Sequence, residues 1–131
     1  MDSNVDIARA YLRALESGAS GEELRRYLAD DIVYEELPNR LFPNGRTSTI
    51  EQMETASAKG KEILNSQHFE VLNAYTDGDT VILEVEWSAS LKIPFGTIPA
   101  GKPLRDRSAI VLKFRDGRIV HQRNYDCYDP W

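Results

Sequence analysis

The segment RNYDCYDPW, residues 123–131, mixes polar and aromatic side chains near the end of a predicted β-strand. Successive strand residues face opposite ways, so Asn124 and Asp126 share one side of that strand. A carboxylate among apolar groups loses hydration, which raises its pKa toward the range useful for proton transfer. Asp126 is therefore the first candidate for an acid–base residue. The alternative is a structural carboxylate that accepts hydrogen bonds from backbone amides.

The triplet Arg105-Asp106-Arg107 opens the strand predicted before this one. Alternation places Asp106 on the same face as Ser108 and Ile110. These three residues are therefore candidates for contact with a substrate. A surface ion pair is the alternative interpretation of such a triplet.

Two more candidates lie nearer the N-terminus. Tyr11 falls within the apolar stripe of a predicted first helix, where its hydroxyl either donates to an oxyanion or reaches a backbone carbonyl. Glu35 and Glu36 are neighbours at the end of a short predicted strand. They must face opposite ways, so we expect one at the mouth of the pocket and the other in solvent.

Four aromatic residues, Phe69, Tyr75, Trp87 and Phe95, could form an apolar wall for a flat hydrophobic ligand. A core without a ligand is the alternative interpretation of the first three. Phe95 stands in the Pro- and Gly-bounded segment 92–103, which is too apolar for a solvated loop. We expect this loop to cover the pocket or to pack on a second subunit.

Composition limits the classes of function. A chain of 131 residues favours one domain, residues 1–131, and a net charge of −5 without a basic run argues against nucleic-acid or anionic-membrane surfaces. No apolar stretch approaches the ~20 residues of a membrane span, and the acidic N-terminus is unlike a secretory signal. Cys127 is the only cysteine and there are two histidines, so we expect no disulfide, no metal, no cofactor and a cytoplasmic location.

Helical spacing of apolar residues predicts three helices, the first of which ends at Gly18. The second is short and is predicted to run through Leu28, and the third to run through Ile63. Each of these two helices is preceded by a capping-box pattern. The predicted capping pairs are Ser20 with Glu23 and Ser48 with Glu51.

The apolar period changes to two from Gln67 onward, which predicts long antiparallel strands after a first short strand at Asp30–Pro38. Two helices, a short strand, a helix and then long strands predict an α+β fold. We expect a cone-shaped α+β barrel, in which a curved antiparallel sheet wraps around the first helix. A hollow between the two is a natural small-molecule pocket.

Over nearly its whole length the chain resembles the nuclear transport factor 2-like superfamily, especially its SnoaL-like and ketosteroid-isomerase-like branches. The resemblance rests on the element order and on the segments ARAYLRALESG, YLADDIVYEELP, NGRTSTIEQM and LRDRSAIVLKFRDGRIVHQRNYDCYDPW. It implies the cone fold. It does not determine the chemistry, because this fold hosts enzymes, binding modules and association domains.

The resemblance implies roles for individual residues. Relative to ketosteroid isomerases, Tyr11 takes the place of the oxyanion-binding tyrosine and Glu36 that of the base, whereas the third position falls on the apolar Ile110. Relative to SnoaL-like cyclases, Asn124 takes the place of the proposed acid/base aspartate. Epoxide hydrolases of this fold use an Asp-Arg-Asp trio, which Asp106, an arginine and Asp126 could imitate.

By the same resemblance, Gln122, Asn124 and Asp126 face the cavity. The opposite face of that strand, which carries His121 and Tyr125, is where such proteins pair, so a homodimer through the sheet is expected. The residues expected to contact substrate are Trp87, Phe69, Gln122, Asp106, Ser108, Ile110 and Phe95.

Two functions follow as hypotheses. The first is a cofactor-independent isomerase, cyclase or hydratase for a small hydrophobic molecule, in which Asp126 moves a proton and Glu36 is the alternative base. Tyr11 or Asn124 would then stabilise an enolate-like oxygen. The second is a ligand-binding or association module that has lost its acid–base set.

Overall fold

The structure, a computed structural model, describes residues 3–131. In these residues three helices precede or interrupt a set of six strands. The helices are Asn4–Glu16 (α1), Glu22–Arg25 (α2) and Ile50–Ile63 (α3). The strands are Leu28–Glu36 (β1), Arg46–Ser48 (β2), Leu64–Asp77 (β3), Thr80–Leu91 (β4), Pro103–Arg115 (β5) and Arg118–Tyr128 (β6).

The six strands form one curved sheet with the order β2-β1-β6-β5-β4-β3. Neighbouring strands are antiparallel except β1 and β6, which run parallel. The predicted α+β fold is confirmed, but the sheet is mixed rather than wholly antiparallel. The reason is that β6 returns from the β5 hairpin in the direction of β1 and pairs with its free edge.

The first helix begins at a capping box. The Ser3 hydroxyl accepts from the Asp6 amide at 3.2 Å, and the Ser3 amide donates to the Asp6 carboxylate at 3.4 Å. Its apolar stripe then buries Ala8, Tyr11 and Leu12. Burial of this stripe against the sheet, rather than helix propensity, supplies most of the stability of such a helix.

The second helix differs from its prediction. Its N-cap is Gly21, at φ +55°, and no side chain caps it, so the Ser20–Glu23 capping box is wrong. Leu28 is the first residue of β1 rather than the end of α2. The four-residue helix is therefore a turn between α1 and β1 that buries Leu24.

The third helix is capped one residue later than predicted. Thr49 is the N-cap, and its hydroxyl accepts from the Gln52 amide while the Thr49 amide donates to the Gln52 side chain. Ser48 is instead the last residue of β2, paired with Tyr34. Both Ser48 and Thr49 fit the capping pattern; strand pairing decides between them.

Two apolar clusters fill the interior. The main one lies between the helices and the inner face of the sheet, and includes Tyr11, Leu12 and Ile110. A smaller one joins Ile98 of the 92–102 loop to Leu91 and Leu104, with Trp87 and Trp131 packed against it. None of the helices in residues 3–131 is long and apolar enough to cross a membrane.

Candidate functional site

A cavity of about 470 Å³ lies between α1, α3 and the inner face of the sheet. Helix α1 contributes Tyr11 to its wall, and α3 contributes Met53 and Ala56. The sheet residues on its wall include Tyr34, Arg46, Gln67, Phe69, Ile110, Gln122 and Asn124. The wall therefore combines apolar side chains with a short row of hydroxyl and amide groups, as small-molecule sites do.

Strand register brings the polar groups together. Tyr34 of β1 lies opposite Gln122 of β6, and Glu36 lies opposite Asn124. Ile110 of β5 flanks Asn124 on its other side. Directly opposed residues share a sheet face, and their Cβ atoms are about 5 Å apart, so these side chains form a compact patch on the inner face.

The polar patch is connected by a hydrogen-bonded chain, which we call the donor chain. The Tyr11 hydroxyl donates to Gln122 Oε1 at 2.7 Å, and Gln122 Nε2 donates to Asn124 Oδ1 at 3.0 Å. Asn124 Nδ2 then donates to the Tyr34 hydroxyl at 3.4 Å, and that hydroxyl donates to Glu36 Oε1 at 3.1 Å. Every donor points toward Glu36. Both amide oxygens are thereby engaged, and each amide keeps one N–H that is not used in the chain.

Both tyrosines of the donor chain remain neutral donors. Burial raises the pKa of Tyr11 well above its ordinary value, and the hydrogen bond to Gln122 opposes this only in part. Burial, followed by the negative charge of Glu36, also raises the pKa of Tyr34. Neither hydroxyl can act as a base near neutral pH, so proton exchange has to come from carboxyl groups.

Glu36 ends the donor chain and is 7% exposed. Burial raises the pKa of Glu36; the Arg46 guanidinium opposes this shift, and the carboxylate of Asp126 adds to it. Arg46 Nε lies 3.2 Å from Glu36 Oε2, but no hydrogen bond within residues 3–131 reaches this buried oxygen. The neighbour Glu35 faces outward and contacts His121 at 2.9 Å, so the predicted opposition of the two glutamates is observed.

The loop between β1 and β2 positions Arg46. Asn39 Oδ1 accepts from the amides of Leu41 and Phe42, which folds the loop back on itself. Gly45 then adopts φ +67°, and a Cβ at this position would lie 2.7 Å from the Glu36 carbonyl oxygen. Arg46 follows with its guanidinium 4.1 Å from the centre of the Phe42 ring. The close approach at Gly45 is what sets the arginine beside the carboxylate.

Two further carboxyl groups lie next to this patch. Asp126 is hydrogen-bonded to Asp106, whose Oδ1 also accepts from the Cys127 amide at 2.8 Å. Burial, together with the bond and the charge of Asp106, raises the pKa of Asp126 to about 8. Burial also raises the pKa of Asp106. The pair therefore holds one proton at neutral pH.

The second oxygen of Asp126 is buried and has no hydrogen-bond partner among residues 3–131. It is Asp106, not Asp126, that is anchored by a backbone amide. Asp126 lies two residues beyond Asn124 on β6, about 7 Å along the strand. Glu36 lies across from Asn124 on β1, so the two carboxyl groups flank the amide at the end of the cavity.

The predicted site residues fall into groups. Tyr11, Phe69, Ile110, Gln122 and Asn124 line the cavity. The same sheet face also carries Asp106, Ser108, Asp126 and Glu36, which are not among the described residues that line the cavity.

The other predicted wall residues lie elsewhere. Trp87 packs edge-on against Tyr128, with ring centres 6.3 Å apart, in the smaller apolar cluster. Phe95 is exposed in the 92–102 loop, where its backbone pairs with Ile98. Tyr75 is exposed, with its hydroxyl on Glu84.

Tyr75 points outward because β3 has a bulge. The register with β4 shifts between Val71 and Asn73, so one extra residue enters the strand. A bulge of this kind reverses the alternation beyond it. Ala74, rather than Tyr75, therefore packs on the main core, and the strict alternation predicted through Tyr75 is wrong.

Sequence reasoning missed Tyr34 and Arg46. Tyr34 could have been found, because it lies two residues before Glu36 and so shares its face. Arg46 carried no signal, since it reaches the site through β2, a strand of three residues inside a predicted loop.

The geometry can be set beside known proteins. A family model for the SnoaL-like domain matches residues 8–122. IdmH, a proposed polyketide cyclase from Streptomyces antibioticus, is similar in structure, with a TM-score of 0.79, 22% identity, and coverage of 95% of this chain and 92% of that one. A comparison with curated proteins gave no match.

Two other solved structures resemble the chain to a similar degree. One is a SnoaL-like polyketide cyclase from Agrobacterium tumefaciens strain C58, at TM-score 0.75 and 19% identity, covering 97% of this chain and 93% of that one. The other is an LEH-like epoxide hydrolase from M. tuberculosis, at TM-score 0.74 and 17% identity, covering 95% and 82%. These likenesses are of fold. Together with the match over residues 8–122, they make the chain a member of the SnoaL-like domain family.

Proposed function

We propose that this chain is a cofactor-independent acid–base enzyme that isomerises or cyclises a small carbonyl compound held in the cavity. The observation that carries the proposal is the grouping of Glu36, Asp106 and Asp126 on one sheet face beside the cavity end. Arg46 is the cation that acts on both Glu36 and Asp126. Buried carboxyl groups that outnumber their cations are costly, and such groups cluster at functional sites.

The donor chain supports a carbonyl oxygen as the group recognised. The Gln122 side-chain oxygen accepts from the Tyr11 hydroxyl, and the Asn124 side-chain oxygen accepts from the Gln122 amide. What these amides can still offer a ligand is N–H. An oxygen that gains negative charge in the transition state is stabilised by preorganised donors of this kind.

The carboxyl groups are placed to act on a carbonyl bound at Asn124. Glu36 lies across the sheet from this amide, and Asp126 lies two residues along the strand. The carbon next to the bound carbonyl can therefore face either group. The pKa of Asp126, raised to about 8 by burial and by Asp106, suits proton transfer near neutral pH, and burial raises the pKa of Glu36 in the same direction.

The reaction conserves its protons. Ionised Glu36 removes a proton from the carbon next to the carbonyl, and the electron pair moves onto the oxygen held by the amides. As the carbonyl re-forms, protonated Asp126 delivers a proton to another carbon. Transfer of a proton from Glu36 to Asp126 through solvent restores the starting state, and the product is an isomer of the substrate.

Exchange of α-protons tests this without knowledge of the natural substrate. We expect the protein to accelerate deuterium incorporation into 2-tetralone in D₂O, followed by NMR. Glu36→Gln, which keeps shape but cannot take up a proton, should slow it by about a hundredfold or more. Glu70→Gln, at an exposed position on β3, is the matched control. An equal rate for Glu36→Gln and the wild type would contradict the proposal.

A ligand-binding role without turnover is the second candidate. The composition of the cavity wall favours this role. Among the described residues that line the cavity, Glu16 supplies the carboxylate and the deep polar groups are amides and phenols, which do not exchange protons readily at neutral pH. If 2-tetralone binds but the wild type exchanges none of its protons, the second candidate replaces the first.

A further inference from the structure

Two lysines lie on the wall of the cavity at its solvent side. Lys61 stands near the end of α3 and Lys92 directly follows β4. The Lys61 ammonium contacts the Ser20 hydroxyl at 3.2 Å, and the Lys92 ammonium contacts the Lys61 carbonyl oxygen at 3.1 Å. Both partners are neutral oxygens, so these contacts neutralise neither positive charge.

The two side chains are held in place by the backbone around them. Gly18 adopts φ +84°, and a Cβ at this position would lie 3.2 Å from Lys61 Cε, so the lysine stem runs directly over the glycine. The Lys92 amide donates to the Ile63 carbonyl oxygen at 2.6 Å, which fixes its backbone at the end of α3. Less side-chain entropy is then lost when a ligand is bound.

The cavity wall carries an excess of positive charge. Within residues 3–131, neither lysine ammonium has a carboxylate oxygen within 4.0 Å. The wall carboxylate Glu16 is already engaged, since it accepts from the Phe69 amide and contacts His68. This local excess occurs in a chain whose net charge is −5, where a random surface would be negative.

We infer that the cavity takes an amphipathic organic anion, whose carboxylate or sulfonate binds between Lys61 and Lys92. Its apolar body would lie along Phe69, Leu15 and Met53, toward the amides at the cavity end. The inference rests on the proposed function only where it places a carbonyl group at those amides. The binding of an anionic group is inferred from Lys61 and Lys92 alone. A positive rim on a negative protein also draws anions in from solution.

A pair of dyes with one skeleton tests the inference. The anion 8-anilinonaphthalene-1-sulfonate and the neutral N-phenyl-1-naphthylamine differ by the sulfonate. We expect the wild type to bind the anion more tightly in fluorescence titrations. The double variant Lys61→Gln/Lys92→Gln should weaken the affinity for the anionic dye by about tenfold. Its affinity for the neutral dye should stay within about twofold of the wild-type value.

The matched control is Lys59→Gln/Lys113→Gln, which makes the same change of charge at exposed positions off the cavity wall. An equal loss of anion binding in the control would overturn the inference, because net charge alone would then explain it. Equal affinity of the wild type for both dyes would overturn it too.

Ala56→Trp, which narrows the cavity, locates the bound dyes. Loss of binding for both dyes, with an unchanged melting temperature, supports the cavity as the site; retained binding in a folded variant overturns the assignment. The lysine comparison does not depend on this variant. None of these titrations measures proton exchange, so the anion inference and the proposed catalysis can fail separately.

Discussion

At the scale of single residues, the most unusual feature is a proton kept between Asp106 and Asp126. The hydrogen bond from the Cys127 amide to Asp106 Oδ1 favours the ionised form of Asp106. Asp126 has no such amide in the described part of the chain, and the neighbouring charge of Asp106 disfavours its ionisation. The two side chains thus divide one proton unequally, with Asp126 as the acid.

This division has a consequence for stability. Unfolded Asp126 titrates near its ordinary pKa of 3.8, whereas the folded pKa is about 8. Between these values the folded chain binds more protons than the unfolded chain, so stability falls as pH rises. The contribution of Asp126 to the free energy of unfolding is therefore most favourable below about pH 4. It is lost as the pH rises toward and past the folded pKa of about 8.

We expect Asp126→Asn to raise the free energy of unfolding at pH 8 by about 1–3 kcal/mol, since a partly exposed site is screened. The gain should shrink to near zero by pH 4, where the carboxyl is neutral in both states. Urea denaturation of both proteins at a series of pH values measures the difference. A gain that stays constant with pH would show that the residue does not titrate as stated.

At this scale, the sequence predicted which side chains share a face of the sheet. Alternation along β6 correctly grouped Gln122, Asn124 and Asp126, and alternation along β1 correctly separated Glu35 from Glu36. It could not predict the contact between Asp106 and Asp126, because that depends on the register of β5 with β6. A shift of one residue would have moved either side chain to the outer face.

At the scale of elements, the β1–β2 loop is what places a cation at the site. Gly45 is distinctive among glycines with positive φ, because a Cβ there would meet backbone rather than open space or a flexible side chain. A conflict with the Glu36 carbonyl oxygen can be relieved only by moving the loop. Arg46 would move with it, away from the carboxylate it partly neutralises.

We expect Gly45→Ala to destabilise the protein by about 2–4 kcal/mol, from the strained φ and the backbone clash together. Gly101→Ala is the matched control, with φ +82° and open space around its Cβ site. It should cost only about 1 kcal/mol. Thermal or urea unfolding gives both values, and equal losses would mean that the close approach at Gly45 carries no energy.

Element types were predictable and element edges were not. Apolar periods of 3.6 and of two identified the helices and the long strands. The cap of α3 was misplaced because β2, at Arg46–Ser48, is too short to leave a periodic pattern. The start of β1 was misplaced because Leu24 and Leu28 have the four-residue spacing of a helix. The bulge near Val71 was also invisible, since each residue beyond it is compatible with either face.

At the scale of the whole molecule, the outer face of the sheet carries apolar side chains in solvent. Tyr125 on β6 is 44% exposed and Val33 on β1 is 42% exposed. They lie among polar neighbours, including the contact between His121 and Glu35. Aromatic side chains are enriched in protein–protein interfaces, so the exposed Tyr125 supports the expected homodimer as a proposal.

We predict that light scattering coupled to size exclusion gives twice the chain mass of 14.9 kDa. Tyr125→Glu should shift the protein to the monomer, because two like charges would meet across a two-fold axis. Leu72→Glu, at a position 48% exposed on the edge strand β3, should leave the mass unchanged. A wild-type monomer would rule out the proposed dimer.

The parallel pairing of β1 with β6 also determines when the site can form during synthesis. Glu36 and Asn124 are far apart in the chain. They become neighbours when β6, which carries Asn124, takes its place between β1 and β5. Until residues 118–128 have left the ribosome, β1 has one edge without a partner and the donor chain cannot close. Such non-local closure is slow, so the Glu36 carboxylate stays in water in the nascent chain until β6 has paired with β1.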